Sequence, residues 1–344
     1  MNKYFVGYVT LRSITSVTDT QAKKLTHLNL AFAPMKDGKT AMELNERQLN
    51  EIARLRKANP KLAILVSTGG GGDRGHGEAT ATPEGLNRLT DSTIELVEQY
   101  DLDGIDCDWE FPGDTGIIEE KYQHTALFKS YREKLDALSE KTGKKYWMTT
   151  AAGAGEWYLN RTEIGESHKY LDFVNLMTYD SNTDSTIAGH HTHLYESKAP
   201  GCPRIQSADH NIKIMVEAGV PIEKILIGVA FYSHRWDKVP DINHGLYQQT
   251  PYKNMFGPSY TEIALKFEPQ MGYTKYWDED AKAPYLYNGE TFISYDDPQS
   301  VRLKCEYALS HGMGGAFYWV HDCDAGSVLF DTIYDTLTLG GNEK

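Results

Sequence analysis

Eight short apolar runs punctuate this chain from end to end, and they constrain its fold more than any other feature. They are YFVGYV (4–9), HLNLAFA (27–33), LAILVS (62–67), GIDCDWE (104–110), YWMTTAA (146–152), FVNLMTY (173–179), ILIGVAFY (225–232) and GGAFYWV (314–320). Most are apolar nearly throughout, which marks strands covered on both faces. Amphipathic stretches fall between them, near 45–58, 84–100, 119–141, 207–218 and 298–311. In the first, Leu49, Ile52, Ala53 and Leu55 mark one face and Pro60 ends it. Ser207 stands as a cap before 207–218 and Gly219 follows it; Pro298 lies in the first turn of 298–311 and Gly312 follows that one. Strand and helix in alternation imply a parallel sheet under a helical layer. Eight repeats fit a closed (β/α)8 TIM barrel, fold class α/β, better than an open doubly wound sheet. No G-x-G-x-x-G follows the first strand, so the Rossmann alternative lacks its phosphate turn.

One interval interrupts the rhythm. Residues 237–294 hold seven tyrosines and Trp277, with short alternating pieces such as YLYNGETFIS. Disordered segments lack aromatics. This interval therefore reads as a small α+β insertion between strand 7 and helix 7. The barrel would comprise 1–236 and 295–344. The insertion is expected on the C-terminal face, where such barrels carry their active sites, with its tyrosines lining the cleft.

Composition narrows the function. The 344 residues carry a formal net charge of -13, which repels phosphate backbones and argues against nucleic-acid binding. The apolar runs are too short to span a bilayer. The four cysteines show no paired metal-type spacing, and His190, His191 and His193 are too loosely spaced to suggest a metal site. The first residues show no signal-peptide pattern, so a cytoplasmic chain or a secreted one whose signal has been removed is expected.

The strongest chemical signal is Asp103-Gly104-Ile105-Asp106-Cys107-Asp108-Trp109-Glu110. Strand side chains alternate faces, so Asp106, Asp108 and Glu110 point one way, with Cys107 and Trp109 opposite. A column of three carboxylates inside a barrel is costly, because burial and like charge both disfavour ionisation. An acid catalyst gains from that cost, since a raised pKa keeps a proton available near neutral pH.

At these residues the chain resembles glycoside hydrolase family 18, the family of many chitinases. Its D-x-x-D-x-D-x-E signature is met by Asp103, Asp106, Asp108 and Glu110. The S-x-G-G element is met by Ser67, Gly69 and Gly70, M-x-Y-D by Met177, Tyr179 and Asp180, and the aromatic ending the eighth strand by Trp319. The stretch at Gly189 and His190, AAGAG at 151–155 and the late insertion are also similar. The resemblance implies a retaining, substrate-assisted hydrolysis of β-1,4 bonds between N-acetylglucosamine residues, an exception to the two-carboxylate scheme. Glu110 would be acid and base. Asp108 would orient the acetamido group of the sugar, and Asp106 would share its proton, backed by Ser67 and Tyr8. Tyr179 would donate to the acetamido oxygen. Trp319 would floor the cleaved sugar, with Met177 and Asp180 beside it. Phe32, Asp103 and Arg235 complete the implied substrate-binding set. The implied partner is chitin or a chito-oligosaccharide, handled by a monomer with no metal and no cofactor.

Two positions depart from the family pattern. Gly71 stands where a Trp usually follows S-x-G-G, which removes a stacking surface and favours soluble over crystalline substrate. The seventh strand usually ends Y-x-R; here Tyr232 is followed by Ser233, His234 and Arg235, so either Arg235 or His234 fills that place. An endo-β-N-acetylglucosaminidase or a peptidoglycan glucosaminidase would use the same acids. A sugar-binding lectin on this barrel would lack the acid, and Glu110 is present.

Overall fold

The structure, a computed structural model, describes residues 3–202, 206–268 and 271–340. Residues 269 and 270 of the expected insertion and 341–344 of the expected barrel lie outside these. Eight parallel strands close into a barrel: β1 (Tyr4–Thr10), β2 (His27–Ala33), β3 (Ala63–Gly69), β4 (Gly104–Asp108), β5 (Trp147–Gly153), β6 (Phe173–Met177), β7 (Ile225–Ala230) and β8 (Gly315–Trp319). Each pairs with its chain neighbours, and β8 closes the ring on β1, with Tyr4 opposite Gly315. The α/β barrel is the expected fold, and all eight apolar runs became its strands.

The helices follow the caps in the sequence. Helix Glu46–Ala58 starts at Asn45, whose side chain accepts from the Gln48 N–H in a capping box. Ile52 and Leu55 face the core, whereas Leu49, expected beside them, lies exposed. Helix Ala208–Glu217 is capped by Ser207, and helix Pro298–Ser310 by Asp297 with Pro in the first turn. Helices Asp19–Lys24 and Val328–Leu339 have no counterpart in the sequence reading.

Two apolar layers result. One lies between strands and helices and includes Val9, Leu28, Ile64, Ile105 and Cys107. The other fills the barrel with Val6, Leu226, Phe317 and neighbours. Tyr4, Trp147 and Phe173 plug its lower end, with Tyr4 and Phe173 ring centres 4.9 Å apart. The barrel interior is thereby closed below.

Between β7 and helix Pro298–Ser310 the chain forms a five-stranded antiparallel sheet. Its strands are, in spatial order, Met255–Phe256, His234–Trp236, Phe292–Ser294, Ala283–Tyr287 and Thr274–Asp278. The sheet begins at His234, three residues before the interval marked by composition. Its tyrosines do not do what was expected of them. Tyr247, Tyr260, Tyr285 and Tyr287 are buried, and Tyr247, Tyr285 and Tyr287 pack with Trp236 and Phe292 as a core of its own. A small sheet needs an apolar face to be stable, and these rings supply it.

A buried ion pair ties this sheet to the barrel. The Lys304 ammonium contacts both oxygens of Asp296, at 2.9 and 2.7 Å, and donates to Thr192 at 2.6 Å. Both charged side chains are fully buried. Asp296 also accepts from the Ala230 N–H at the end of β7. Removing one member leaves an unpaired charge without water. Lys304→Met should therefore cost about 3–5 kcal/mol in equilibrium urea unfolding, and Lys304→Met with Asp296→Asn should recover part of that loss. A single variant as stable as the parent would show that the pair carries no such constraint.

Candidate active site

The site forms because β4 places its odd and even residues on opposite faces. Cys107 and Trp109 point outward under the helices, where Trp109 stacks on His76 at 5.3 Å between ring centres. Asp106 and Asp108 point into the barrel and are buried, and Glu110 follows just beyond the strand end. On β3, Gly69 and Gly70 turn the chain with φ of 92°. A Cβ on Gly69 would come within 2.6 Å of the Asp108 carbonyl, and one on Gly70 within 2.6 Å of the Phe32 ring. Only glycine fits there, which accounts for this pair in the sequence.

Asp106 lies deepest. Its carboxylate accepts from Tyr8 and Ser67 at 2.8 Å each, from Thr149 at 2.6 Å and from Asn175 at 3.4 Å. Burial raises its pKa, and these four donors pull it back. Thr149 and Asn175 are absent from the sequence reading, because a lone Thr or Asn on a strand carries no motif. Above it, Asp108 is driven well above the ordinary carboxylate range by burial, then by the charges of Glu110 and Asp106. Its Oδ1 is buried and has no hydrogen-bond partner among the described residues. Its side chain also shares a hydrogen bond with Glu110. Burial, then the charge of Asp180, raises the Glu110 carboxyl to about 7.

A pocket of about 270 Å³ opens over these acids. Tyr8 and Phe32 line it from β1 and β2, Met177, Tyr179 and Asp180 from the end of β6, and Trp319 from β8. Trp319 stacks on Phe32 with ring centres 5.2 Å apart. Ser67 sits just below, on Asp106. Ala151, Gly71, Tyr232 and Phe256 complete the lining. Tyr232 and Phe256 were not among the expected substrate-binding residues; Phe256 belongs to the insertion and matches no motif.

Two expected residues lie elsewhere. Asp103 sits before β4, and at about 3.3 Å per strand residue it is about 16 Å below Asp108. There it accepts from the Ile64 N–H at 2.8 Å and pairs with Lys144 at 2.7 Å and Arg56 at 3.1 Å, so its role is to join strands and helices at the foot of the barrel. Arg235 is turned away by strand alternation and pairs with Asp237 at 2.7 Å. His234, its neighbour, faces the site instead, with Nε2 2.7 Å from Asp180 Oδ1. His191 approaches the same oxygen at 3.7 Å, and the Tyr232 hydroxyl donates to it at 2.6 Å. Burial would raise the Asp180 pKa, but the nearby His191 ring and the bonded His234 outweigh it and hold it well below the usual range. The sequence spacing of His190, His191 and His193 suggests no metal site; the fold brings one of them next to His234, and the ligand-type atoms of Asp180, His191 and His234 lie within 4.8 Å of one another. His190 goes elsewhere, to Asp278 in the insertion at 3.1 Å.

Comparison with known proteins identifies the family of this fold. The sequence model of the glycosyl hydrolases family 18 matches residues 4–324. Chitinase A1 of Niallia circulans is 32% identical over 314 residues, which are 85% of this chain and 45% of that protein. The chain thus spans less than half of that relative. A family 18 N-acetylglucosaminidase from Paenibacillus barengoltzii superposes with a TM-score of 0.94 at 41% identity, covering 97% of this chain and 100% of the other. Chitinase ChiW from Paenibacillus sp. str. FPU-7 gives a TM-score of 0.88 at 35% identity over 98% of this chain and 43% of its own. With the family model matching residues 4–324 and a 32% identical relative matched over 85% of this chain, the chain belongs to the glycosyl hydrolases of family 18.

Proposed function

We propose that this chain hydrolyses β-1,4 bonds of N-acetylglucosamine oligomers with retention, using the substrate's own acetamido group as nucleophile. The observation that carries this reading is Asp108 Oδ1, a buried acceptor without a partner among the described residues, next to a glutamic acid whose pKa is raised to about 7. An orphaned buried acceptor costs about 1–3 kcal/mol unless something satisfies it. An acetamido N–H is a donor of the right kind. The names of the relatives, chitinase and N-acetylglucosaminidase, support this substrate class.

The chemistry follows from the placement. Glu110 gives its proton to the glycosidic oxygen as the C1–O bond breaks. The acetamido carbonyl oxygen attacks C1 and closes an oxazolinium ring, so the positive charge falls on the ring N–H that Asp108 accepts. Burial holds the Tyr179 hydroxyl well above its ordinary pKa, so it stays a donor toward the acetamido oxygen. The Trp319 ring supports the apolar face of the sugar. After the leaving group departs, the Glu110 carboxylate takes a proton from water, which opens the ring at C1 and leaves a β-hemiacetal. An endo-β-N-acetylglucosaminidase would run the same steps. A lectin would have no use for a buried acid with a raised pKa.

Glu110→Gln should lower kcat by about 10²–10⁴-fold, the usual scale for a lost general acid, while chito-oligosaccharide binding persists in calorimetry. The parent's kcat should fall as pH rises through about 7, where Glu110 loses its proton. The same shift affects stability. The folded pKa lies above the ordinary 4.5, so the folded state holds the extra proton between these values and loses stability as pH rises through that window. Glu110→Gln removes the buried charge and should melt higher than the parent at about pH 8, with the gap closing toward about pH 4. Equal melting curves at both pH values would contradict the buried-acid assignment.

The acetamido nucleophile sets a second expectation. Aryl β-glucosides, which lack it, should be cleaved about 10³-fold or more slowly than aryl β-N-acetylglucosaminides, because proximity of the internal nucleophile is lost. Proton NMR within seconds of mixing should show the β-anomer as first product. An initial α-anomer would rule out the oxazolinium route.

A further inference from the structure

Phe256 is 75% exposed and yet lines the pocket. Single exposed apolar residues are ordinary, but this one is held in place. Its strand pairs with His234–Trp236, with His234 opposite Phe256. The Gly257 N–H donates to the Ser233 carbonyl at 2.8 Å, and the Ser233 hydroxyl donates to the Pro258 carbonyl at 2.6 Å. The Asn254 N–H donates to Ser185 at 3.1 Å, and its side chain accepts from the Ser185 N–H at 3.2 Å. A Cβ on Gly257 would sit 2.4 Å from the Ser233 hydroxyl, so the backbone after Phe256 has no slack. The fold presents this ring on a fixed support.

Its place around the mouth follows from the ring order of the strands, β1-β8-β7-β6-β5-β4-β3-β2. In a closed ring of eight, β3 and β7 stand opposite each other. Gly71 follows β3, and a Cβ there would lie 3.6 Å from Glu110 Oε1 with nothing nearer among the described residues. That rim is open and belongs to the acid. Phe256 stands over the end of β7, its ring 5.7 Å from Tyr232 and 5.3 Å from His234. The pocket therefore runs from an open rim beside Glu110 to an aromatic wall on the far side. Glu110 meets the leaving-group oxygen, so the leaving group departs past Gly71. With C1 at Glu110, the opposite end of the sugar, its non-reducing C4 side, would face Phe256. At about 270 Å³ the pocket is at the small end of ligand sites.

We propose that Phe256 closes the pocket behind a single glycone sugar, so that the enzyme removes one N-acetylglucosamine at a time from non-reducing ends. One water is consumed per sugar released, and its oxygen ends on C1 of the monosaccharide while the leaving group keeps the proton from Glu110. The inference rests on the acid role of Glu110 given above. Gly71 and Phe256 act together: the missing side chain leaves room for leaving groups of any length, and the ring sets the glycone side to one.

Two chromogenic substrates test this. An aryl β-N-acetylglucosaminide needs one glycone position for aryl release, and an aryl β-chitobioside needs two. The parent enzyme should release aryl group from the first directly and from the second only after a lag, with monosaccharide as the initial product of chitotetraose. Phe256→Ala should raise the ratio of kcat/KM for direct release from the chitobioside over the monoside by about tenfold, one binding contact's worth, and disaccharide should appear early. Phe256→Trp should keep the parent pattern, and because residue 256 is exposed, matching melting curves will confirm that both variants fold. A parent that yields disaccharide first, or a ratio unchanged in Phe256→Ala, overturns the proposal while leaving Glu110 in its role. A parent inactive on both glycosides overturns that role and the proposal with it.

Discussion

The carboxylate of Asp106 is the contact on which the rest of the site depends. It sits on β4 inside the barrel and accepts from Tyr8 on β1, Ser67 on β3, Thr149 on β5 and Asn175 on β6. One buried group thereby joins five of the eight strands. A buried carboxylate is tolerable only with such a set of donors. Asn175 also donates to the Tyr8 hydroxyl at 3.0 Å, so the donors hold one another. With both oxygens of Asp106 engaged, the polar centre of the barrel has one arrangement, and the acids above it inherit that rigidity.

The three carboxylates of the column differ because their surroundings differ. Asp106 has four donors, Asp108 has an oxygen with none, and Glu110 reaches the pocket mouth. Burial raises all three, but only Asp106 has several hydrogen bonds pulling it back. Asp180 completes the gradient from the other side of the pocket. Held ionised by His191 and His234, it raises Glu110 through its charge. The carboxylates thus occupy unequal environments along one strand and across one pocket, the kind of arrangement that separates pKa values at functional sites.

The insertion acts on this centre from outside. Its own apolar core and the buried Lys304–Asp296 pair make it part of the scaffold. What it offers the pocket is one phenyl ring and, through His234, a hold on Asp180. Gly71 on the opposite rim offers only space. The pocket is symmetric neither in charge nor in shape.

Much of this was legible in the chain. Eight apolar runs specified eight strands because period and length distinguish covered strands from helices. The D-x-x-D-x-D-x-E pattern located Asp106, Asp108 and Glu110 because alternation along a strand is a local rule. The same rule could not tell which end of β4 meets the pocket at Asp103, since the residue before a strand looks the same whether it faces solvent or salt bridges. It could not choose between His234 and Arg235, because that depends on which face of a two-residue pairing turns toward Asp180. Thr149, Asn175 and Phe256 were silent in sequence, and His191 was visible only as one of three loosely spaced histidines. Each comes from a different strand or loop, and each gains its meaning only from the closure of the barrel, which brings residues distant along the chain to within hydrogen-bond or ring contact. The sequence by itself determined the strand count, the caps and the acid column; tertiary structure alone decided which donors surround those acids and where the pocket ends, because desolvation and hydrogen bonding are properties of an assembled interior and of no single segment.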